Sequence, residues 1–349
     1  MPPGLQSPAL SCYSGAQYEV LGLGGVIVDY SLETTRAGVQ ALGLVPGTIT
    51  CLPEAQIRPI RGELYMDGVL KDPQSGGSIA NTLSLLGRAR FNAGLFGTGG
   101  DDEAGRIFKT ESLRAGVPLL NPLRPGLITG FSICFLHKDG ENTIVWTQGA
   151  NASTTPEVLS EFRIARSKCL VIDGYAMCYG DEGPASVAHA ASLARRRRVD
   201  SVLTMGSKEA VSRFRPEFQE LLGQVGLLAG NLGELACLME LGENASLEAV
   251  LGALRPAARD FLITLGAEGS YARVNGEEHF EPAVEAVARD KVGAGDAFLA
   301  GFLAARIRER SLAEALRLGS AIAAEVVQRT GARLPEGFDV AAFVSARLG

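Results

Sequence analysis

Downstream of residue 167 the chain alternates short apolar runs with longer stretches of helical spacing. The runs 169–172, 201–204, 226–228 and 261–265 read as strands, and helices are predicted at about 181–197, 208–222, 231–241 and 246–257. Residues 271–274 and 278–281 read as a hairpin turning on Asn275-Gly276, and helices at about 294–309, 312–329 and 338–347 close the chain. Strand and helix in turn predict a mostly parallel sheet covered on both faces. Upstream, 18–28 is one apolar run of strand type that ends at Asp29, which places Asp29 at the carboxyl end of a strand, where open α/β sheets bind ligands. Residues 76–86 open a helix, 90–96 form a strand, and 101–115 a helix stopped by Gly116. Residues 131–136 and 142–147 suggest a hairpin across Lys138-Asp139-Gly140. From about 30 to 75 the pattern is irregular, with prolines at 46, 53, 59 and 73, and reads as an excursion from the main sheet.

The segment from Arg289 to Leu303 stands apart. Leu299, Leu303 and Ile307 lie at four-residue spacing, and Phe298 and Phe302 extend the apolar surface, so most of the circumference is hydrophobic. A helix apolar nearly all round is a buried one. Gly293, Ala294 and Gly295 open it without side-chain obstruction, and the unpaired first-turn amides suit an anion. Asp296 then sits in that first turn. Beside a bound phosphate it would repel, unless it accepts a proton or faces a metal. Its simplest role is a carboxylate set against the helix dipole, worth about 0.3–1 kcal/mol.

Composition narrows the class. The 349 residues are 46% hydrophobic and 21% charged, enough for one large α/β domain or two smaller ones. A net charge of −6 disfavours general nucleic-acid or anionic-membrane binding, and the basic run Arg195 to Arg198 reads as a solvated helix end. Six cysteines (Cys12, Cys51, Cys134, Cys169, Cys178, Cys237) form no C-x-x-C pair, which argues against zinc and a disulfide framework and fits a reducing cytoplasm. Residues 1–17 read as a flexible leader without signal-peptide features, and no apolar run approaches the roughly 18 residues of a membrane span.

Several motifs are excluded. Gly22, Gly24 and Gly25 lack the further glycine of a dinucleotide fingerprint, Ile27 standing there instead. No Walker-type G-x-x-x-x-G-K-[ST] and no G-x-S-x-G elbow exists, and His137, His189 and His279 lie apart from any nucleophile signal. Asn231 and Glu234 have capping-box spacing at the start of a helix; the alternative is a carboxylate holding Mg²⁺ beside a nucleotide. Thr264, Gly266 and Gly269 are either a plain turn or a nucleotide contact at the sheet's carboxyl edge. Gly76, Gly77 and Asn81 combine a tight turn with an amide able to bond substrate hydroxyls.

Taken together, GGSIANTLSLLG (76–87), NLGE (231–234), TLGAEG (264–269) and DKVGAGDAFLAGFL (290–303) resemble the ribokinase-like (pfkB) family of sugar and nucleoside kinases, over residues 18–345. The sequence at 76–116 and 149–151 is most similar to the adenosine-kinase-like branch. The resemblance implies an α/β three-layer sandwich with a mostly parallel central sheet, as a single domain over 18–349, with a small β lid from about 30–75 and 118–150. It implies ATP-dependent transfer of the γ-phosphoryl group to a hydroxymethyl group of a sugar or nucleoside. Asp296 would be the base, and Gly293, Ala294 and Gly295 the anion hole. Asp29, Gly76, Gly77 and Asn81 would grip the acceptor; Asn231, Thr264, Gly266, Gly269 and Lys291 would serve ATP; Glu234 would act on Mg²⁺. Asp290 would border a monovalent-cation site for K⁺, and the resemblance allows a homodimer through the lid.

Two positions depart from the family pattern. Lys291 stands where threonine is usual, so its ammonium is expected to replace part of the charge of K⁺ or to reach the phosphates. Met205-Gly206 replaces the usual Asp-Pro. The acceptor stays open between a nucleoside and fructose, ribose or a keto-deoxy sugar acid, and a catalytically silent binding member is the reading from another class.

Overall fold

A computed structural model describes residues 17–71, 73–137 and 142–349. Its strands are β1 (Tyr18–Leu23), β2 (Ile27–Glu33), β3 (Ile49–Cys51), β4 (Gln74–Gly76), β5 (Ala93–Phe96), β6 (Gly130–Leu136), β7 (Thr143–Thr147), β8 (Ser167–Ile172), β9 (Asp200–Thr204), β10 (Leu227–Asn231), β11 (Phe261–Thr264), β12 (Ser270–Val274) and β13 (Glu277–Glu281). Its helices are α1 (Arg36–Ala41), α2 (Glu54–Met66), α3 (Ser78–Arg88), α4 (Glu103–Arg114), α5 (Glu161–Ile164), α6 (Gly183–Arg197), α7 (Lys208–Arg213), α8 (Arg215–Leu221), α9 (Leu232–Leu238), α10 (Leu247–Ala257), α11 (Ala294–Ile307), α12 (Leu312–Val327) and α13 (Val340–Leu348).

Among the described residues the larger sheet runs β13-β12-β11-β10-β9-β8-β1-β5. Strands β11 to β5 pair parallel, and β12 and β13 add an antiparallel edge. Successive side chains on a strand point to opposite faces. Val20, Cys169 and Val171 therefore join the core formed with α3, α11 and α12, while Leu21, Leu23, Leu170 and Ile172 join the one formed with α6, α8, α9 and α10. Burial on both faces is why these strands read as unbroken apolar runs. The second hairpin turns as expected: Asn275 (φ 53°) and Gly276 (φ 84°) take the left-handed pair that a two-residue hairpin of matching twist requires.

A smaller sheet, β3-β7-β6-β2-β4, lies across a cavity from the carboxyl edge of the first, where the resemblance puts a lid. Phe131, Ile133 and Phe135 of β6 pack with Val39, Ile57 and Leu64 under α1 and α2. The alternate residues Ser132, Cys134 and Leu136 face a cavity.

Three expectations need correction. The apolar run 18–28 is not one strand but β1 and β2, in different sheets, parted at Gly24 to Val26. Neighbours crowd this break: a Cβ on Gly24 would lie 2.9 Å from Ile79 Cβ, and one on Gly25 2.4 Å from Tyr179 Oη. Asp29 is accordingly the third residue of a lid strand, not the end of a core strand. The region 30–75 is more regular than its prolines suggest, since α2 accommodates Pro59 while burying Ile57 and Leu64 on one face. The helix expected over 208–222 breaks at Phe214 into α7 and α8, with Pro216 in the first turn of the second piece. The leader expected at 1–17 lies outside the described residues but for Gln17, and the turn at Lys138-Asp139-Gly140 lies outside them too.

The back of α11 is held closely. A Cβ on Gly301 would come 2.7 Å from Leu318 O, and one on Gly319 2.8 Å from Phe298 O, so α11 and α12 touch backbone to backbone. No helix among the described residues is long and apolar enough to cross a membrane.

Candidate active site

Between the lid and the carboxyl edge of the larger sheet lies a cavity of about 740 Å³. The N-termini of α3 and α11 converge on it, and that of α9 borders it. Ser78 Oγ donates to Asp296 Oδ1 (2.6 Å), Asn81 Nδ2 donates to Asp296 Oδ2 (3.0 Å), and Thr82 Oγ1 donates to the Asp296 carbonyl (3.1 Å). Burial raises the Asp296 pKa above the ordinary carboxylate value; the Ser78 and Asn81 donors pull it back, Asp29 adds to the rise and Arg333 opposes it. Asp296 is thus held by hydrogen-bond donors rather than by an ion pair, with its pKa above the ordinary carboxylate value.

Gly293 is the N-cap of α11 at φ 78°, and a Cβ there would lie 2.5 Å from Ala332 Cβ. No side chain caps this turn. Gly295 has open space around its α-carbon and lines the cavity. Ala294 N–H donates to the Lys291 carbonyl (3.2 Å), and free first-turn amides at the positive end of a buried helix suit an anion.

On the lid side Ser132 Oγ donates to Asp29 Oδ1 (2.6 Å). Burial raises the Asp29 pKa, while Ser132 and Arg333 lower it. Gly76 passes directly beneath this carboxylate, since a Cβ there would fall 1.9 Å from Asp29 Oδ2. Gly77 (φ 91°) turns the chain into α3 with its α-carbon against the Gly25 carbonyl. The wall opposite is aromatic: Trp146 meets Tyr175 and Tyr179 edge-on, with ring centroids 6.0 and 6.5 Å apart.

On the other side Asn231 and Glu234 form the expected capping box at the start of α9, each bond 2.9 Å. Glu234 nevertheless lines the main cavity and a second space of about 130 Å³ shared with Thr264, Gly295 and Asp296. Burial raises its pKa to about 7, against the Asn231 hydrogen bonds; Glu209 adds to the rise and Lys208 opposes it. A half-buried carboxylate without a fixed cation suits Mg²⁺ held mainly by phosphates and water. Among the described residues no three His, Cys, Asp or Glu side chains gather into a metal cage.

Gly266 and Gly269 are not among the residues lining these two cavities. The glycine at 269 (φ 128°) answers to packing, as a Cβ would meet Glu281 O at 2.2 Å. Asp290 is buried and accepts from Asn142 Nδ2 (2.6 Å), Val292 N (2.9 Å) and Gly331 N (2.8 Å), tying the lid to the turn before α11. Lys291 is exposed at the cavity rim. Met205 is wholly buried against Gly230.

Two residues of the cavity carry no motif in the sequence. Asp173 follows β8 at the carboxyl edge, the position that marks ligand sites in such sheets. Its Oδ1 accepts from Tyr175 N (3.0 Å), its Oδ2 has no partner, and burial, reinforced by Asp296, raises its pKa to about 7. Arg333 comes from the loop before α13 and donates to Asn81 and Ser75.

The sequence model described as pfkB family carbohydrate kinase matches residues 73–337. The chain is 29% identical over 266 residues to a ribokinase of Haemophilus influenzae, covering 74% of this chain and 82% of the relative. It is 28% identical over 281 residues to an ATP-dependent ribose-1-phosphate kinase of Halopiger xanaduensis, covering 78% and 87%. Among solved structures, the adenosine kinase of Sinorhizobium meliloti superposes with a TM-score of 0.86 at 27% identity, covering 95% of this chain and 99% of that one.

Proposed function

The chain belongs to the pfkB family of carbohydrate kinases, and from that premise we propose that it transfers the γ-phosphoryl group of ATP to a hydroxymethyl group of a sugar or nucleoside, with Asp296 as the base. The observation that carries this reading is the convergence of α3 and α11 on one carboxylate, beside an uncapped glycine turn. Phosphoryl transfer asks for an in-line oxygen, a proton acceptor and stabilisation of spreading negative charge. Asp296 takes the proton of the acceptor hydroxyl. The amides of Gly293, Gly295 and Asp296 receive the γ-phosphoryl oxygens, with Ala294, whose N–H donates to the Lys291 carbonyl, completing the turn; in comparable anion holes one donor is worth about 10²–10³ in rate.

Asp29, Gly76, Gly77 and Asn81 hold the acceptor, and the lid above them excludes water as a competing acceptor. Asn231, Thr264 and Glu234 face the nucleotide, where Mg²⁺ would neutralise phosphate charge. Lys291 at the rim supplies charge near the phosphates, and Asp290 borders the cation position. The Trp146, Tyr175 and Tyr179 wall supports an acceptor whose sugar carries a flat, weakly polar group, the build of a nucleoside. ADP release measured across purine nucleosides, ribose, fructose and keto-deoxygluconate tests the proposal. Turnover of one class identifies the acceptor. If none is turned over while one shifts the melting temperature, a binding role replaces the kinase role.

A further inference from the structure

Arg333 is half-buried at the meeting point of lid, α3 and α11, and lines the cavity. Its loop is pinned from both sides. Arg88, at the end of α3, donates to the carbonyls of Leu334 (2.5 Å), Pro335 (2.7 Å) and Phe338 (2.8 Å), and Gly331 N is held by Asp290. The guanidinium then donates from Nε to Asn81 Oδ1 (2.9 Å) and from Nη1 to Ser75 Oγ (2.5 Å). Both acceptors are neutral oxygens. Ser75 in turn donates its N–H and its hydroxyl to Glu111 Oε2, each at 2.7 Å.

Asn81 is only 5% exposed, so its amide must satisfy both ends within the protein. One end faces a donor, Arg333, and the other a carboxylate, Asp296. Only one orientation of the amide fits, with Oδ1 toward Arg333 and Nδ2 toward Asp296. We propose that Arg333 is a positioning residue for phosphoryl transfer: it fixes the Asn81 amide, and through it aims the Asp296 carboxylate at the acceptor hydroxyl. This rests on the reading of Asp296 as the base.

The charge acts in the same direction. Around Asp296 stand Asp29 from β2, Asp173 and Tyr175 after β8, and Arg333 as the facing cation. Glu111, Asp29 and Asp296 sustain the guanidinium charge against its burial and against Arg88. Without Arg333 the nearby acids are uncompensated, and Asp296 holds its proton to higher pH.

The test is the pH dependence of kcat in wild type, Arg333→Met and Arg333→Lys, with melting curves recorded alongside. For R333M kcat falls about 10–100-fold, as expected for a misaimed reacting group, and the acid limb moves to higher pH. R333K keeps the charge but loses the in-plane Nε donor, so its kcat falls while its acid limb stays in place. The proposal is overturned if R333M keeps either the wild-type kcat or the wild-type acid limb. If R333M does not fold, R333K decides: a wild-type kcat overturns the proposal, and a lowered kcat on an unmoved limb supports it. Asp296→Asn separates the two levels. An inactive D296N with a wild-type R333M removes Arg333 alone, whereas turnover by D296N removes the base and its positioning residue together.

Discussion

Ser78 and Asp296, 218 residues apart, share a 2.6 Å hydrogen bond that joins the first turns of two helices. This bond and that of Asn81 hold the carboxylate without neutralising it. Asp296→Asn keeps the shape and removes the basicity. Its kcat is expected to fall by about 10²–10⁴ while acceptor binding, measured by calorimetry, stays within a few-fold. A near-normal rate would refute the role of the base.

The two glycines of the α11 turn separate anion binding from folding. Gly295→Ala meets nothing within 4 Å, so its Tm stays within about 2 °C of wild type. Its methyl group nonetheless enters the cavity, and kcat drops by about 10²-fold. Gly293→Ala combines a left-handed alanine, about 1–2 kcal/mol, with a collision at Ala332, and loses Tm as well as rate. Equal rates in wild type and G295A would remove the anion hole from this turn.

Gly76→Ala would push the Asp29 carboxylate out of its place. Acceptor KM is expected to rise at least about tenfold, the worth of one hydrogen bond, while the KM for ATP holds. A parallel rise in both constants would argue that Asp29 serves the fold rather than the acceptor.

Asp173 gives a pH signature in stability. Its folded pKa, about 7, lies above that of an unfolded aspartate, so its contribution is full below about pH 4 and is lost as the pH rises through 7. Asp173→Asn is neutral at every pH. It should be more stable than wild type by about 1–3 kcal/mol at pH 8, a gain that shrinks to nothing near pH 4. Denaturant melts at the two pH values measure it, and a pH-independent difference would exclude the ionised buried acid.

The parallel half of the fold was legible because strands buried on both faces carry unbroken apolar runs. The break at Gly24 to Val26 was not, since both pieces it separates are apolar and the crowding that forces it comes from Ile79 and Tyr179, distant in sequence. Asp29 reaches the cavity all the same, but from the lid and as one residue of an alternating strand. Pro59 concealed α2, whose Ile57 and Leu64 otherwise keep helical spacing. Motifs marked the residues fixed by backbone shape, such as Gly76, Gly77 and Gly293. Asp173 and Arg333 reach the cavity as single side chains delivered by the topology, and no local pattern announces them.

Because Gly301 and Gly319 let α11 and α12 meet without intervening side chains, the glycine turn that opens α11 is mounted on a support with no slack. The lid is close-packed at Gly76 and Gly130, but Cys134, Leu136 and Ile144 on its strands line the cavity by side chains alone. On the proposed reading, replacements at Cys134, Leu136 or Ile144 would alter the acceptor side of the cavity while leaving the α11 turn in place.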